Sequence, residues 1–111
     1  MIGPSEEHAF DHAADRALRL LDAALNDVDD VEVDLESGIL TIEFRDGSRF
    51  VVNSHRAARQ IWMAAGAQAW HFDVSFESER WTAAKTGEEL WACLSEQVGR
   101  KLSRPVHLTP G

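Results

Sequence analysis

Cysteine is nearly absent: of 111 residues only Cys93 carries a thiol. A lone cysteine forms no intramolecular disulfide and cannot by itself hold a cluster or a zinc ion. The usage fits a reducing compartment. Basic residues are few as well, 11 against 19 acidic ones, for a net charge of −8. That sign argues against nucleic acid and anionic membranes as partners, because both call for positive potential. It favours cations or basic protein surfaces. No apolar run reaches membrane-spanning length. The start, Met1 to Glu7, has neither a basic region nor an apolar one of the signal-peptide kind, so a soluble cytoplasmic protein is expected. Catalytic signatures are missing too: no G-x-S-x-G, no P-loop, no H-E-x-x-H, and no E-x-x-H pair of the di-iron bundle type. No catalytic residue is assigned, and an enzyme is not expected.

Apolar residues make up 44% of the chain, enough to bury a core. The length suits one domain, 1–111, with 1–4 and 104–111 expected to be flexible ends. Ser5 is placed to cap a helix, with Glu6 and Glu7 complementing its dipole. A helical pattern then runs to about Asn26. Phe10, Ala13, Ala17, Leu20, Leu21, Ala24 and Val28 form one stripe, and Asp11, Asp15, Arg19, Asp22 and Asn26 form another, largely opposite.

The period then changes to two. Val31, Val33 and Leu35 alternate with Glu32, Asp34 and Glu36, giving a half-buried strand with an acidic outer face. Ser37-Gly38 turns the chain into Leu40, Ile42 and Phe44. Asp46-Gly47 is a hairpin signal leading to Phe50 and Val52. Gln60 to Ala64 reads as a strand with Ile61 and Met63 inward and Gln60 and Trp62 outward. Trp70 to Asp73 and Arg80 to Thr82 follow, with His71 outward. Thr86-Gly87-Glu88-Glu89 reads as a capping box before Leu90, Trp91, Leu94 and Val98. The tail, with Pro105 and Pro110, is expected to be coil. Two roughly parallel helices on one face of a five- to six-stranded antiparallel sheet satisfy this order: an α+β, two-layer α/β sandwich. The other sheet face meets solvent.

The order and several segments resemble the frataxin family in its bacterial form. The segments are Asp22 to Glu36, Gly38 to Ile42 with Asp46-Gly47-Ser48, Val52-Asn53, Gln60 to Ala64, Trp70 to Asp73, and Trp81 with Thr86 to Trp91. The likeness runs from about Phe10 to Val98. The chain departs from the family at His55 and Ala57, where glutamine and proline are usual. It departs again at Ala23 and Asn26, which often are carboxylates. The resemblance implies weak iron binding by surface carboxylates and docking on a cysteine desulfurase and iron–sulfur scaffold protein. It also implies a monomer that can oligomerise with iron.

The candidate metal ligands are Asp15, Asp22, Asp27, Asp29, Asp30, Glu32 and Asp34. Hard oxygen donors suit iron, but carboxylates strung along a helix end and a strand make a negative field, not a cage. From the residues alone, a solvated acidic face is the stronger reading. The resemblance favours metal. Trp62 on the solvent side of the sheet is the candidate partner contact, with Asn53 and Gln60 beside it. A covering loop, or a register shifted by one residue, would bury it instead. His8 and His12 lie near the acidic stripe, and like His71 they read first as ordinary surface histidines. Cys93 reads as a small core side chain. Iron oxidation and storage, or a metal-independent acidic adaptor, are the alternative functions.

Overall fold

The computed structural model describes residues 4–110, with side chains from His8 onward. The cap expected at Ser5, with Glu6 and Glu7, falls on side chains outside the described residues.

Helix α1 spans Pro4–Leu25. Its buried side is Phe10, Ala13, Ala14, Ala17, Leu18, Leu21 and Leu25. The stripe read from the sequence is therefore rotated: Leu20 and Ala24 are only half-buried at its edge, while Ala14, Leu18 and Leu25 carry the packing. A run this rich in alanine and leucine leaves the centre of the apolar arc ambiguous, and the sheet beneath decides it. The helix ends where Asn26 folds back, its Nδ2 donating to the Asp22 carbonyl at 2.8 Å. Asp30 then turns the chain in the left-handed region, φ 72°.

Six strands follow: β1 Val31–Glu36, β2 Ile39–Phe44, β3 Arg49–His55, β4 Gln60–Ala65, β5 Gln68–Ser75 and β6 Arg80–Ala83. They form one sheet in chain order, every neighbour antiparallel. Side chains alternate between faces along a strand. Leu40, Ile42, Phe44, Phe50, Val52, Ile61, Met63, Trp70, Phe72 and Trp81 all point to the helix side and are buried. Helix α2, Leu90–Leu102, adds Leu90, Cys93, Leu94 and Val98 to the same core. Two helices on one face of a six-stranded antiparallel sheet is the architecture the sequence pattern called for.

Two local features differ from expectation. The helix cap is Glu89, whose carboxylate accepts from the Ala92 N–H at 3.2 Å. The capping box expected from Thr86 does not form, because residues 83–88 are used by a tight turn. Gly87 adopts φ 78° there, and its N–H donates to the Ala83 carbonyl at 2.7 Å. Thr86 Oγ1 accepts from the Glu88 N–H inside that turn, so the helix starts three residues later than the motif suggests.

The second difference is the tail. Residues 105–110 are coil, but they are pinned to the helices. Leu108 is buried, and its N–H donates to Ser95 Oγ at 2.9 Å. That hydroxyl donates in turn to the Trp91 carbonyl at 2.7 Å, so the buried serine is satisfied. Gly99 lets the tail pass: a Cβ there would sit 3.0 Å from the Arg104 carbonyl oxygen.

Candidate docking face and acidic ridge

Among the described residues, nothing packs over the sheet face away from the helices. Its central row runs Ile39, Asn53, Trp62 and His71, each paired with the next across the sheet. The row above is Thr41, Val51, Ala64 and Ala69. The row below is His55, Gln60 and Asp73. Trp62 therefore stands on the outer face, in the register read from the sequence, with Asn53 and Gln60 beside it. Ile39 adds exposed apolar surface, at 48% exposure.

Trp62 is held in place, and half-buried, by its own neighbours. Its ring stacks on His55 at 3.8 Å between centroids and 15° between planes. On the other side it stacks on His71 at 4.3 Å and 12°. Its indole N–H donates to Gln60 Oε1 at 2.8 Å, and Gln60 Nε2 donates to Asp73 Oδ1 at 2.9 Å. Asn53 Nδ2 donates to the neighbouring Ser54 carbonyl. Sequence reasoning missed the two histidines as supports. The alternation already placed His71 outward, but only the strand register shows that it faces Trp62. His55 pairs with Gln60 and reaches Trp62 diagonally.

The acidic residues are drawn out along a ridge. Asp15 and Asp22 lie seven residues apart on α1, about 10 Å along its axis. Asp15 is paired with Arg19 at 2.8 Å, and Asp22 accepts from Asn26 Nδ2 at 3.3 Å. Asp27 and Asp29 occupy the turn into β1. Asp30 is clasped by two guanidiniums, Arg45 at 2.7 Å and Arg104 at 3.0 Å. Arg104 also donates to the Asp29 carbonyl at 2.6 Å. Glu32 and Asp34 point outward from β1. Glu32 stands opposite Glu43, an unfavourable like-charge pair relieved by Arg49 beside Glu43 at 3.4 Å. Among the described residues no three histidine, cysteine or acidic side chains are placed to hold one metal ion.

The remaining candidates lie elsewhere. His8 and His12 are exposed on α1. Burial, with the Glu88 carboxylate nearby, pushes the Cys93 thiol up to about 12, so it offers no thiolate near neutral pH. Glu88 itself sits below the usual carboxylate range, chiefly because it accepts from Trp70 Nε1 at 3.0 Å. No helix among the described residues is long and apolar enough to cross a membrane.

Comparison with known proteins agrees with this geometry. The model of the frataxin-like domain matches residues 3–104. The iron–sulfur cluster assembly protein CyaY of Paraburkholderia xenovorans is 36% identical over 95 residues, which make up 85% of this chain and 89% of that protein. A frataxin from Psychromonas ingrahamii shares the fold at a TM-score of 0.84 and 22% identity, over 93% of this chain and 97% of that one. Trimeric frataxin from Saccharomyces cerevisiae, in its ferrous complex, gives a TM-score of 0.64 at 25% identity, over 94% of this chain and 92% of that one. Helix, six-strand meander, helix and outward tryptophan thus coincide with a family match over nearly the whole chain, and the chain belongs to the frataxin-like family.

Proposed function

We propose that this chain is a cytoplasmic, non-catalytic accessory protein of iron–sulfur cluster assembly. It docks on a cysteine desulfurase and its scaffold protein and carries or modulates the delivery of iron. The observation that carries this reading is a preorganised tryptophan on the outer sheet face, with the carboxylate-lined edge strand β1 three strands away on the same sheet. Relatives named for iron–sulfur cluster assembly support the pathway, and a ferrous complex of a family member supports iron as cargo.

Iron, as cargo, would meet Asp15, Asp22, Asp27, Asp29, Glu32 and Asp34 as separate carboxylates, with Asp30 screened by its arginines. Oxygen donors without a fixed cage discriminate little among hard cations. Binding is therefore weak, with other cations competing. The same ridge attracts a basic partner over long range, while Asn53, Gln60 and Trp62 make the short-range contact. The free protein is a monomer on this reading, and oligomerisation depends on added iron.

One observation favours the second reading, a metal-independent acidic adaptor: Arg45 and Arg104 already neutralise one end of the ridge. Calorimetry with the purified desulfurase–scaffold assembly, at low and high salt and with and without iron, tests both. The account expects salt-sensitive binding that iron alters. Salt-sensitive binding indifferent to iron would select the adaptor, and absence of binding would reject both.

A further inference from the structure

Trp62 lies between two imidazoles, and imidazole is the side chain whose ordinary charge change falls between pH 5 and 8. We propose that the His55–Trp62–His71 stack is a proton-sensitive switch on the outer sheet face, in which acid exchanges a turn hydrogen bond for a tighter ring stack. Both imidazoles lie nearly parallel to the indole, at 15° and 12°. A cation over an indole face is attracted by the ring quadrupole, so a proton on either histidine strengthens its hold on Trp62. At His55 the proton also removes something. Its Nδ1 accepts from the Ala58 N–H at 3.3 Å, and an imidazolium has no acceptor to offer. The neutral state has a closed 56–59 turn and rings held by dispersion. The charged state has a released Ala58 amide and rings held by charge.

The surrounding charges are few and mostly engaged. Across the sheet from His55 stand Gln60 and then Asp73. In its turn, Arg56 is paired in a fork with Asp11 of α1, at 3.1 and 2.8 Å, and Arg59 follows in the chain. His71 shares a groove with Asp73, Lys85, Glu88, Glu96 and Arg100. There Arg100 is tied to Glu96 at 2.7 Å, and Glu88 is tied to Trp70. Asp73 is the carboxylate on the same face as both rings, and Gln60 already holds one of its oxygens.

The consequence for docking rests on the function proposed above, whereas the switch itself does not. A partner covering Trp62 must strip water from the rings beside it, which is costlier for imidazolium than for imidazole. Docking then releases protons and weakens as the solution is acidified through the imidazole range.

The test is the emission of Trp62, taken as the difference between the native chain and Trp62→Phe, followed from pH 8 to pH 5. An imidazolium in contact with excited indole quenches it by accepting an electron. The expected result is a fall in emission as pH drops, reduced in His55→Gln and in His71→Gln and absent in the double variant. Glutamine keeps a polar group on an outer face, and circular dichroism checks that each variant folds. The Ala58 amide resonance should shift with the same midpoint in the native chain and in His71→Gln, and not in His55→Gln. Emission that stays flat, or that titrates equally in the double variant, overturns the proposal. So does an Ala58 amide indifferent to the titration of His55. Failure to dock at every pH would reject the functional reading and leave the switch standing on its titration.

Discussion

Gln60 donates its amide to Asp73 at 2.9 Å and so aims its carbonyl oxygen at the indole N–H of Trp62, 2.8 Å away. The tryptophan on the open sheet face is fixed by this chain and by two stacked rings, so little rotamer freedom remains to be lost on docking. Trp62→Ala should leave the fold intact, because the side chain faces away from the core. It should weaken binding to the desulfurase–scaffold assembly by about 2 kcal/mol or more, the usual cost of truncating an interfacial aromatic anchor. Asp73→Ala should weaken it less, by loosening Gln60. Calorimetry gives both values, and a Trp62→Ala chain that unfolds would mean the side chain supports the core.

Asp22 and Asp30 should respond differently to neutralisation. Among the described residues Asp22 has no cationic partner; the Asn26 amide donates to it at 3.3 Å. Asp22→Asn should be neutral or slightly stabilising, within about 0.5 kcal/mol. Asp30 holds Arg45 and Arg104. Asp30→Asn should cost about 0.5–1 kcal/mol, since exposed pairs contribute little each. Asparagine tolerates the left-handed backbone, so that loss reports the ion pairs. Urea denaturation distinguishes the two, and equal effects would contradict the clasp.

The tail should matter to stability. Leu108→Ala should destabilise by roughly 2–3 kcal/mol, as for a buried leucine at the edge of a core. Ser95→Ala should cost about 1 kcal/mol by leaving the Leu108 N–H without its acceptor. Thermal unfolding of the two variants checks this, and a Leu108→Ala chain as stable as the native one would show that the tail does not hold.

Acid should destabilise the fold through two particular carboxylates. Glu88 is lowered chiefly by Trp70. Asp46 is lowered chiefly by Lys101, 2.7 Å away, and then by Ser48. A carboxyl whose folded pKa is depressed contributes stability above its unfolded pKa, near 4. That contribution fades as pH falls toward the folded value. Unfolding free energy should drop between about pH 5 and pH 2, and Lys101→Ala or Trp70→Phe should flatten the drop. A slope unchanged in both variants would assign acid sensitivity to other groups.

The sequence carried the architecture because its two periods are clean. Alternation from Val31 to Trp81 set the inner and outer faces, and it placed Trp62 outward with Asn53 and Gln60. It could not set the rotation of an alanine-rich helix, where several stripes are equally apolar. Nor could it foresee that Gly87 would spend residues 83–88 on a turn and pass the cap to Glu89. The Trp62 supports and the Asp30 clasp were hidden for another reason. The two histidine stacks and the arginine clasp join residues 7 to 74 positions apart, and such contacts follow from strand register and tail path, not local pattern. The ridge was legible as charge, but its pairing to arginines was not.

The most direct measurement is the rate of cluster formation on a scaffold protein with its cysteine desulfurase and limiting iron, followed by absorbance with and without this chain. The account predicts that the native chain changes the rate, that Trp62→Ala largely abolishes the change, and that raising salt diminishes it, since exposed charges are screened beyond about 8–10 Å. An identical rate with native chain, variant and no addition, at low salt, would contradict it.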